Sequence, residues 1–384
     1  MDGGDRRMRV VVVGLGFIGS QRARAATVAR STKLAGVVDH DRTHAKAFAA
    51  NLKVPAFRTL EEALERVDDD SNSPRGVVIA TPPGDHCESI RLALSAGAHV
   101  LCEKPIALEA GEARSVAMFA DQKRLKLATG LNHRFYPPVQ DALKLIGEWA
   151  IGRTESVRVE IGHRAGEEFL TGWHVDPSLS GGGTLMDNGP HACDLIRRFL
   201  GEVVAAQGYV QDAIGLPIGV ESDAFALFRN HDRAIAELHS SWTRDDAYLR
   251  VNVRGSQGRL LIEADPWRLS GTLADGRRIN KRYAVNRLIE KAFRVRYGCE
   301  RSLVVELEAF AKGPQAFPRP EASGWDGCRA AEMIQAVYES ARIKCEVELE
   351  PPLVHTPSVA RRRARAHENA RNRANDPLAV PIGE

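Results

Sequence analysis

Residues 8–19 of this chain read MRVVVVGLGFIG. The apolar, β-branched run at 8–13 predicts a strand that is buried on both faces, as the strands of a parallel sheet are. Gly14, Gly16 and Gly19 then form the pattern G-x-G-x-x-G, and the ten residues that follow contain neither Gly nor Pro, which predicts a helix. Strand, glycine turn and helix in this order are typical of a dinucleotide-binding unit.

The three glycines have separate roles in such a unit. Gly14 permits the tight turn, Gly16 lets the backbone approach a pyrophosphate, and Gly19 lets the helix pack closely on the strand. Phe17 and Ile18 lie at the start of the helix, where free N–H groups and a partial positive charge favour phosphate. We therefore expect this whole segment to bind the cofactor.

The choice of cofactor depends on the end of the next predicted strand. Asp39 follows the apolar run 34–38 and lies twenty residues after Gly19. Its carboxylate can accept hydrogen bonds from both ribose hydroxyls and would repel a 2′-phosphate, so we expect NAD. Arg42 could instead pair with a 2′-phosphate, and NADP therefore stays open as the second choice.

Strands and helices alternate through the first 130 residues. Further strands are predicted at 77–80, 99–102 and 125–128, with helical stretches between them. This alternation indicates βαβ units and a doubly wound parallel sheet. The predicted fold class is therefore α/β, with an N-terminal Rossmann dinucleotide-binding domain over residues 1–130.

The pattern changes at residue 131, and we predict a C-terminal α+β domain over residues 131–350. Apolar and polar residues alternate in several runs, which predicts antiparallel strands with one covered face. The clearest runs are 156–161, 223–228 and 234–238. Two late helices, at about 302–311 and 326–342, are expected to close the domain.

The last residues, 351–384, form a C-terminal tail that is rich in Arg, Asn and Pro and has little apolar content. Such a segment cannot offset its own ordering entropy by burial. We therefore predict a mobile arm, or one that orders only against a partner. The residues from 356 onward are expected to be dispensable for activity.

Composition excludes several classes of protein. The chain has 384 residues, with 53 Lys and Arg against 50 Asp and Glu, and the C-terminal tail accounts for the whole net charge of +3. A balanced body argues against nucleic-acid binding, and no run approaches the ~18 apolar residues of a membrane span. The six cysteines form no C-x-x-C pair and no zinc spacing, which indicates reduced thiols, a cytoplasmic location and no metal site.

Two further loops follow predicted strands of the first sheet, at the edge where such sheets bind ligands. Thr81 and Pro82 come after one strand, and Glu103 and Lys104 come after the next. We expect these four residues to complete the cofactor site. His86 could reach the same crevice, or it could be a surface histidine near the start of a helix.

Lys104 is a candidate for the chemistry itself. A Lys-Pro bond can be cis at modest cost, which would turn the side chain into the crevice. A lysine near an alcohol oxygen can donate a hydrogen bond to it, and partial burial would ease proton exchange by lowering the lysine pKa. The alternative is a solvated loop lysine.

Residues 180–194 read SGGGTLMDNGPHACD. The glycines allow close approach of the backbone to a ligand or to the other domain, and a helix is predicted from Pro190 to just before Gly201. His191 is a natural general acid or base, because imidazole titrates near neutral pH. Asp187 could orient that imidazole, hold a substrate hydroxyl, or both. Alternatively, the aspartate is a helix cap and the histidine only packs.

These features together resemble the glucose–fructose oxidoreductase, inositol dehydrogenase and rhizopine catabolism (Gfo/Idh/MocA) family of NAD(P)-dependent oxidoreductases. The resemblance covers about residues 8–350, and its carriers are the segments 14–19, 80–83, 103–105, 132–135, 181–191 and 325–341. It implies that Lys104, Asp187 and His191 surround the nicotinamide and the reacting alcohol. It also implies a large, mainly antiparallel, open-faced sheet that forms homodimers or homotetramers. Residues 264–300 match the family pattern poorly.

The resemblance implies hydride transfer between the nicotinamide and a secondary alcohol of a sugar, cyclitol or glycoside, a small polyhydroxylated substrate. In that reaction His191 takes the hydroxyl proton, and Lys104 polarises the oxygen or relays the proton. Asp187 fixes His191 and binds a neighbouring hydroxyl. The other candidate substrate contacts are Arg134, Trp173, His174 and Asp176. Trp173 could face a pyranose ring or could simply pack in a loop.

Two alternative functions stay open at this point. A tightly bound NAD could be used transiently, so that oxidation of one ring carbon allows epimerisation or elimination at its neighbour. The chain could also be a non-catalytic, NAD-sensing regulatory protein on the same fold, because fold does not fix function. The presence of Lys104, Asp187 and His191 together argues against a sensor.

Overall fold

The computed structural model describes residues 7–67, 74–212, 214, 220–245, 247–264, 267–312 and 321–353. Its first sheet consists of β1 (Met8–Val13), β2 (Thr32–Val38), β3 (Ala56–Phe57), β4 (Arg75–Ile79), β5 (His99–Cys102) and β6 (Leu127–Thr129). All six strands are parallel, in the order β3-β2-β1-β4-β5-β6. The predicted doubly wound sheet is confirmed. The short β3 was not predicted, because two residues are too few to form a recognisable pattern.

Helices cover both faces of this sheet. They are α1 (Phe17–Val28), α2 (Arg42–Leu52), α3 (Leu60–Arg66), α4 (His86–Ser95) and α5 (Ala110–Lys123). Side chains of β1 alternate between the faces, so that Val10 and Val12 pack with α1 and α2, whereas Val11 and Val13 pack with α3, α4 and α5. A strand that is buried on both faces is apolar along most of its length, which explains the apolar run at residues 8–13.

The second sheet has nine strands. They are β7 (Thr154–Gly162), β8 (Val203–Gln211), β9 (Asp223–Asn230), β10 (Ile235–Ser241), β11 (Tyr248–Gly255), β12 (Arg259–Ala264), β13 (Trp267–Thr272), β14 (Arg278–Arg282) and β15 (Val347–Glu348). Their order is β14-β13-β12-β11-β7-β10-β9-β8-β15. Seven of the eight neighbouring pairs are antiparallel, and β7 pairs with β10 in parallel. The predicted, mainly antiparallel sheet is confirmed.

The remaining helices are α6 (Pro137–Gly147), α7 (Glu167–Leu170), α8 (Pro177–Ser180), α9 (Thr184–Asp187), α10 (Gly189–Leu200), α11 (Ala284–Tyr297), α12 (Arg301–Ala311) and α13 (Gly324–Ile343). Helices α6, α10 and α13 pack on one face of the second sheet and share its apolar core. The other face exposes Tyr209, Phe225, Leu227 and Ile235, so this sheet is open-faced as predicted.

Helix α12 packs against the first sheet although it lies late in the chain. Its residues Leu307, Phe310 and Ala311 are buried in the core of the first sheet, beside Val10 and Val12 of β1. The chain therefore returns to the first domain after it has built the second sheet. The domain boundary at residue 130 stays a prediction, with α12 as a late segment that shares the core of the first sheet.

Residues 264–300 contain structure for which the sequence analysis predicted no element. Strands β13 and β14 extend the second sheet, and α11 lies on the surface with Val285, Leu288 and Val295 exposed. Its buried residue is Glu290, whose carboxylate accepts hydrogen bonds from the Arg294 side chain and from the backbone N–H of Arg301. In most surface helices the apolar residues face the core, and this periodicity is what predicts a helix from the sequence. Helix α11 exposes its apolar side chains instead, so its sequence carries no such signal.

Within the described ranges, no helix is both long enough and apolar enough to cross a bilayer. All six cysteines are free thiols. The prediction for the C-terminal tail falls almost wholly on residues 354–384, which lie outside the described part of the chain.

Candidate active site

The glycine loop between β1 and α1 has the shape that a bound pyrophosphate requires. Gly14 has φ +84°, and a Cβ there would lie 2.6 Å from the carbonyl oxygen of Ala80. A Cβ on Gly19 would lie 1.9 Å from the carbonyl oxygen of Gly14, so this position is closed by internal packing. A Cβ on Gly16 would meet no atom within 4 Å, so the loop is open at the position where a phosphate approaches. The residues present therefore fit a dinucleotide.

Asp39 is placed at the end of β2, beside this loop. Its Oδ2 accepts a hydrogen bond from the backbone N–H of Leu15 at 2.7 Å, and its Oδ1 accepts one from that of Asp41 at 2.8 Å. Oδ1 also lies 3.2 Å from Nδ1 of His40, whereas Oδ2 keeps a second lone pair to which a ribose hydroxyl can bind. Arg42 is the exposed first residue of α2, and Phe17 is 87% exposed at the mouth of the loop.

His86 does not face the cofactor crevice. Its ring is buried, with Nδ1 2.8 Å from the carbonyl oxygen of Pro105 and Nε2 2.9 Å from that of Thr81. The histidine therefore joins the loop that follows β4 to the loop that follows β5. Its burial lowers its pKa. His86 was predicted to reach the cofactor. In the structure its two ring nitrogens contact backbone carbonyl oxygens and hold the Thr81-Pro82 loop in place.

Glu103 also lies inside the protein. Its carboxylate accepts a hydrogen bond from Nε of Arg22 at 2.7 Å, and the same guanidinium lies 2.6 Å from the carboxylate of Glu306. All three side chains are buried. Glu103 therefore ties α1 to the β5 loop, rather than presenting a free carboxylate to a cofactor as the sequence suggested.

Lys104 reaches across to the second domain. The Lys104-Pro105 bond is cis, as the sequence allowed. The ammonium of Lys104 donates hydrogen bonds to Oδ1 of Asp187 at 2.8 Å and to its carbonyl oxygen at 2.7 Å. Two residues 83 positions apart in the chain thus form one ion pair at the junction of the domains, with side chains about one-fifth exposed.

Asp187, at the end of α9, is the most heavily bonded group of the site. Besides Lys104, its carboxylate contacts Nε2 of His163 at 3.1 Å, Nε1 of Trp242 at 3.2 Å and Nδ2 of Asn188 at 3.2 Å. Burial alone would raise the pKa of Asp187, but the charges of Lys104 and His163 hold it far below its ordinary value. Asp187 is therefore a fixed anion.

His191 lies on α10 and is not hydrogen-bonded to Asp187. Its ring stacks on that of His133, with centroids 3.9 Å apart and planes 20° apart, and its buried Nδ1 has no partner among the described residues. Burial, together with the charges of His133 and Lys104, lowers the pKa of His191 well below its ordinary value. The imidazole is therefore neutral near pH ~7. The expected Asp187–His191 bond is absent.

A small pocket lies beside the Lys104–Asp187 pair. Its lining residues are Pro83, Lys104, Pro105, Trp173, His174, Ser180, Gly182, Gly183, Met186, Asp187 and Trp242. His174 stacks between Phe169 and Trp173, at centroid distances of 3.8 and 3.9 Å, and Trp173 is 37% exposed. One wall of the pocket is thus aromatic and the other is the ion pair.

Arg134 is not placed to contact a substrate, and the carboxylate of Asp176 caps a helix. The guanidinium of Arg134 is fully buried, bonded to both carboxylate oxygens of Asp194 and 3.3 Å from the carboxylate of Asp326. Asp176 caps α8 by accepting hydrogen bonds from the backbone and hydroxyl of Ser178. Both residues were predicted as substrate contacts because they are charged. In the structure the charge of Arg134 pairs with buried carboxylates, and that of Asp176 caps a helix.

His163 and Trp242 were not predicted as site residues. His163 follows β7 and Trp242 follows β10, and the two strands are parallel neighbours with Gly162 opposite Ser241. Their carboxyl ends therefore meet at one edge and deliver both side chains to Asp187. A search for polar or aromatic residues just beyond predicted strands could have identified both as candidates. The sequence does not show that β7 and β10 pair in parallel, so it could not place the two residues together.

Fold and site together define a two-domain dinucleotide-binding protein with a lysine–aspartate pair at the domain junction. The chain belongs to the Gfo/Idh/MocA oxidoreductase family. The model described as an oxidoreductase family with an NAD-binding Rossmann fold matches residues 8–131, and the model of the GFO/IDH/MocA C-terminal domain matches residues 139–261. The family resemblance of the sequence is confirmed.

Relatives of this chain include several dehydrogenases. D-xylose 1-dehydrogenase (NADP(+)) 2 of Haloferax volcanii is 29% identical, over 88% of this chain and 99% of its own length. Inositol 2-dehydrogenase of Rhizobium meliloti is 26% identical, over 89% of this chain and 99% of its own. The solved structure of levoglucosan dehydrogenase with NADH and levoglucosan is similar with a TM-score of 0.79 at 21% identity, covering 90% of this chain and 99% of that one.

Proposed function

We propose that this protein is an NAD(P)-dependent dehydrogenase that transfers hydride between the nicotinamide and a secondary alcohol of a neutral sugar, cyclitol or glycoside. The observation that carries the proposal is the Lys104–Asp187 pair, at 2.8 Å, beside a pocket at the junction of a dinucleotide-binding domain and a second domain. The family of the chain and the activities named for its relatives support it.

The cofactor would be held by the first domain. Gly14, Gly16 and Gly19 shape the loop that would receive the pyrophosphate, and the N-terminus of α1 would attract its charge. Asp39 would accept hydrogen bonds from the ribose, which favours NAD over NADP, with Arg42 as the competing feature. Nicotinamide, when bound, supplies the hydride chemistry.

The pair at the domain junction would handle the reacting oxygen. Lys104 donates a hydrogen bond to that oxygen and stabilises the negative charge that develops on it. Asp187 holds the ammonium in place, and in this structure its Oδ2 already contacts three donors, so it positions Lys104 rather than a substrate hydroxyl. His191, neutral and without a partner on Nδ1, takes the hydroxyl proton on oxidation and passes it to water.

The pocket favours a neutral, ring-shaped substrate. Trp173, which is 37% exposed, offers a flat surface for the apolar face of a sugar ring, and His174 supports the indole ring from behind. Lys104 is the one cationic residue among the lining residues, and its charge is already balanced by Asp187. A phosphate or carboxylate would therefore lack a cationic partner. Three relatives, named for xylose, inositol and levoglucosan, are consistent with this class, whereas two others are named for glucose 6-phosphate and UDP-N-acetylglucosamine.

We further propose that the protein is a cytoplasmic homodimer or homotetramer. Tyr209, Phe225, Leu227 and Ile235 are exposed on the open face of the second sheet, and the first three line a wide, largely apolar groove. An apolar surface of this kind is typical of a subunit interface. The free cysteines support a reducing compartment.

The proposed activity can be tested with a panel of neutral sugars, cyclitols and anhydrosugars, each incubated with NAD⁺ or NADP⁺ and followed by the absorbance of the reduced cofactor. We expect turnover with at least one compound. His191→Asn should lower that turnover by roughly 10²–10⁴, the usual contribution of a positioned acid or base, with little change in cofactor affinity. Normal turnover in His191→Asn would remove this histidine from the mechanism.

A further inference from the structure

His163 connects the Lys104–Asp187 pair to solvent, and nothing in the proposed function uses it. It lies just after β7, with its side chain 30% exposed. Its Nε2 lies 3.1 Å from Oδ2 of Asp187, and its Nδ1 lies 3.2 Å from the carbonyl oxygen of Arg164. The edge of its ring meets Phe169 at a centroid distance of 5.2 Å.

Both partners of the ring can only accept hydrogen bonds. The carboxylate of Asp187 and the carbonyl of Arg164 have no hydrogen to donate, since the carboxylate is ionised. A neutral imidazole carries one N–H and satisfies one of them. The imidazolium carries two and satisfies both, so this geometry matches a protonated His163.

We propose that His163 is a positioning residue that shares the carboxylate of Asp187 with Lys104 and, through its own proton, sets how strongly the Lys104 ammonium donates to the reacting oxygen. The proposal rests on the proposed function for the role of Lys104. Its structural basis is a row of three charged groups in which one carboxylate bonds an ammonium through Oδ1 and an imidazole through Oδ2.

The charges around His163 favour its protonation near neutral pH. Burial lowers the pKa of His163 and the charge of Lys104 opposes protonation, but the bond and charge of Asp187 raise the pKa above its ordinary value. His174 is the other titratable group close by, and its pKa is lowered by burial to about 4, so it stays neutral. The side chain of Arg164 is paired with Asp245 at 2.9 Å.

Protonation of His163 has a definite effect on Lys104. When His163 is an imidazolium, two cations share one carboxylate, and the ammonium of Lys104 is held less tightly and donates more strongly to the reacting oxygen. When His163 loses its proton, the anion is left to Lys104, whose ammonium becomes a weaker donor to the reacting oxygen. We expect this change in donor strength to alter the rate of the chemical step by roughly threefold to tenfold.

Substitution of His163 by Gln separates this role from a structural one. Gln keeps a neutral donor near Asp187 but cannot carry the charge. We expect the ratio of wild-type to His163→Gln kcat to be roughly 3 to 10 at about pH 6 and to approach ~1 at about pH 9, with KM little changed. His239→Gln is the matched control, since His239 is also paired with an aspartate, at 3.0 Å, and is 28% exposed on the open sheet face. Its kcat ratio should not depend on pH, and its molar mass is checked by light scattering.

A second readout needs neither substrate nor cofactor. The titration of His163 is followed by NMR in the cofactor-free protein labelled in its histidines, and the signal is assigned by its loss in His163→Gln. We expect a midpoint above the ordinary ~6.5, a lower midpoint in Asp187→Asn and a higher one in Lys104→Met. These shifts can be measured even if none of the sugars and cyclitols is a substrate. The proposal for His163 and the proposed dehydrogenase activity can therefore fail independently. A midpoint that neither substitution moves, or a kcat ratio that is constant with pH, would overturn the proposal for His163.

Discussion

At the scale of single residues, the site is organised by one carboxylate. Asp187 accepts hydrogen bonds from Lys104, and its other oxygen faces His163, Trp242 and Asn188. The sequence pointed to Asp187 and Lys104 from their positions next to a predicted helix and strand. It assigned the wrong partner to Asp187, because His191 is near in the chain whereas His163 is brought close only by the fold.

Loss of the Lys104 ammonium should impair chemistry more than binding. In Lys104→Met we expect turnover to fall by roughly 10²–10⁴, because the donor to the reacting oxygen is gone. Cofactor affinity, measured by fluorescence titration, should change much less. Lys281→Met is a suitable control, because Lys281 is also paired with an aspartate, Asp141 at 2.5 Å, but lies outside the site. A large loss of turnover in the control would point to a general effect on the fold.

A buried triad predicts how stability depends on pH. Glu103 and Glu306 share the guanidinium of Arg22, and burial raises the pKa of Glu306 from 4.5 to about 7. The folded protein therefore binds this proton more tightly than the unfolded chain does. Its contribution to stability is present below about pH 4.5 and is lost as the pH rises through about 7, at a cost of at most ~3 kcal/mol.

The triad can be tested by urea unfolding at about pH 5 and about pH 8. Glu306→Gln leaves Arg22 paired with Glu103 and removes the titrating group. We expect the free energy of unfolding to fall less between the two pH values in the variant than in the wild type. An equal fall in both proteins would assign the pH dependence to other groups.

At the scale of elements, the sequence predicted the first sheet well and the second sheet only in outline. A parallel strand buried on both faces has a continuous apolar run, and the run at β1 is of this kind. The alternating strands of the second sheet were also recognised, but alternation does not reveal which neighbours pair. The parallel pair of β7 with β10 brings His163 and Trp242 to Asp187, so this part of the site could not be predicted from the sequence.

Charged residues with buried partners were the other source of error. Arg134 and Glu103 were interpreted as ligand contacts because of their charge and position, but the structure pairs them with Asp194 and Arg22 inside the protein. Their partners are 60 and 81 residues away in the chain, so local patterns cannot identify them. The glycine loop was predicted correctly because its pattern is local: contacts within one strand–turn–helix unit and its neighbour strand require Gly14 and Gly19, and Gly16 leaves the loop open.

The junction of β2 and α2 should determine the choice of cofactor. We expect wild-type protein to bind NAD more tightly than NADP, because the carboxylate of Asp39 repels a 2′-phosphate. Asp39→Ala should weaken NAD binding and reduce the ratio of NAD affinity to NADP affinity. The dissociation constants of both cofactors are measured by titration for the wild type, for Asp39→Ala and for Arg42→Ala. Tighter NADP binding by the wild type, lost in Arg42→Ala, would assign the decisive contact to the arginine.

At the scale of the whole molecule, the open face of the second sheet should hold subunits together. Leu227 is 51% exposed on this face, and a charge there would remain unpaired in an apolar interface. We expect Leu227→Asp to reduce the molar mass measured by light scattering. Truncation after Thr356 should leave both mass and turnover unchanged. A mass that is unaffected by Leu227→Asp but reduced by truncation would transfer the assembly role to the C-terminal tail.

The central claim is that this protein moves hydride directly between a nicotinamide and a carbohydrate carbon, with Lys104 at the reacting oxygen. It is tested most directly with reduced cofactor that carries deuterium at the transferring position, together with the ketone form of an accepted substrate. Mass spectrometry of the alcohol product should find one deuterium on the carbinol carbon with the wild type and almost none with Lys104→Met. Product without deuterium, or full transfer by Lys104→Met, would contradict the account.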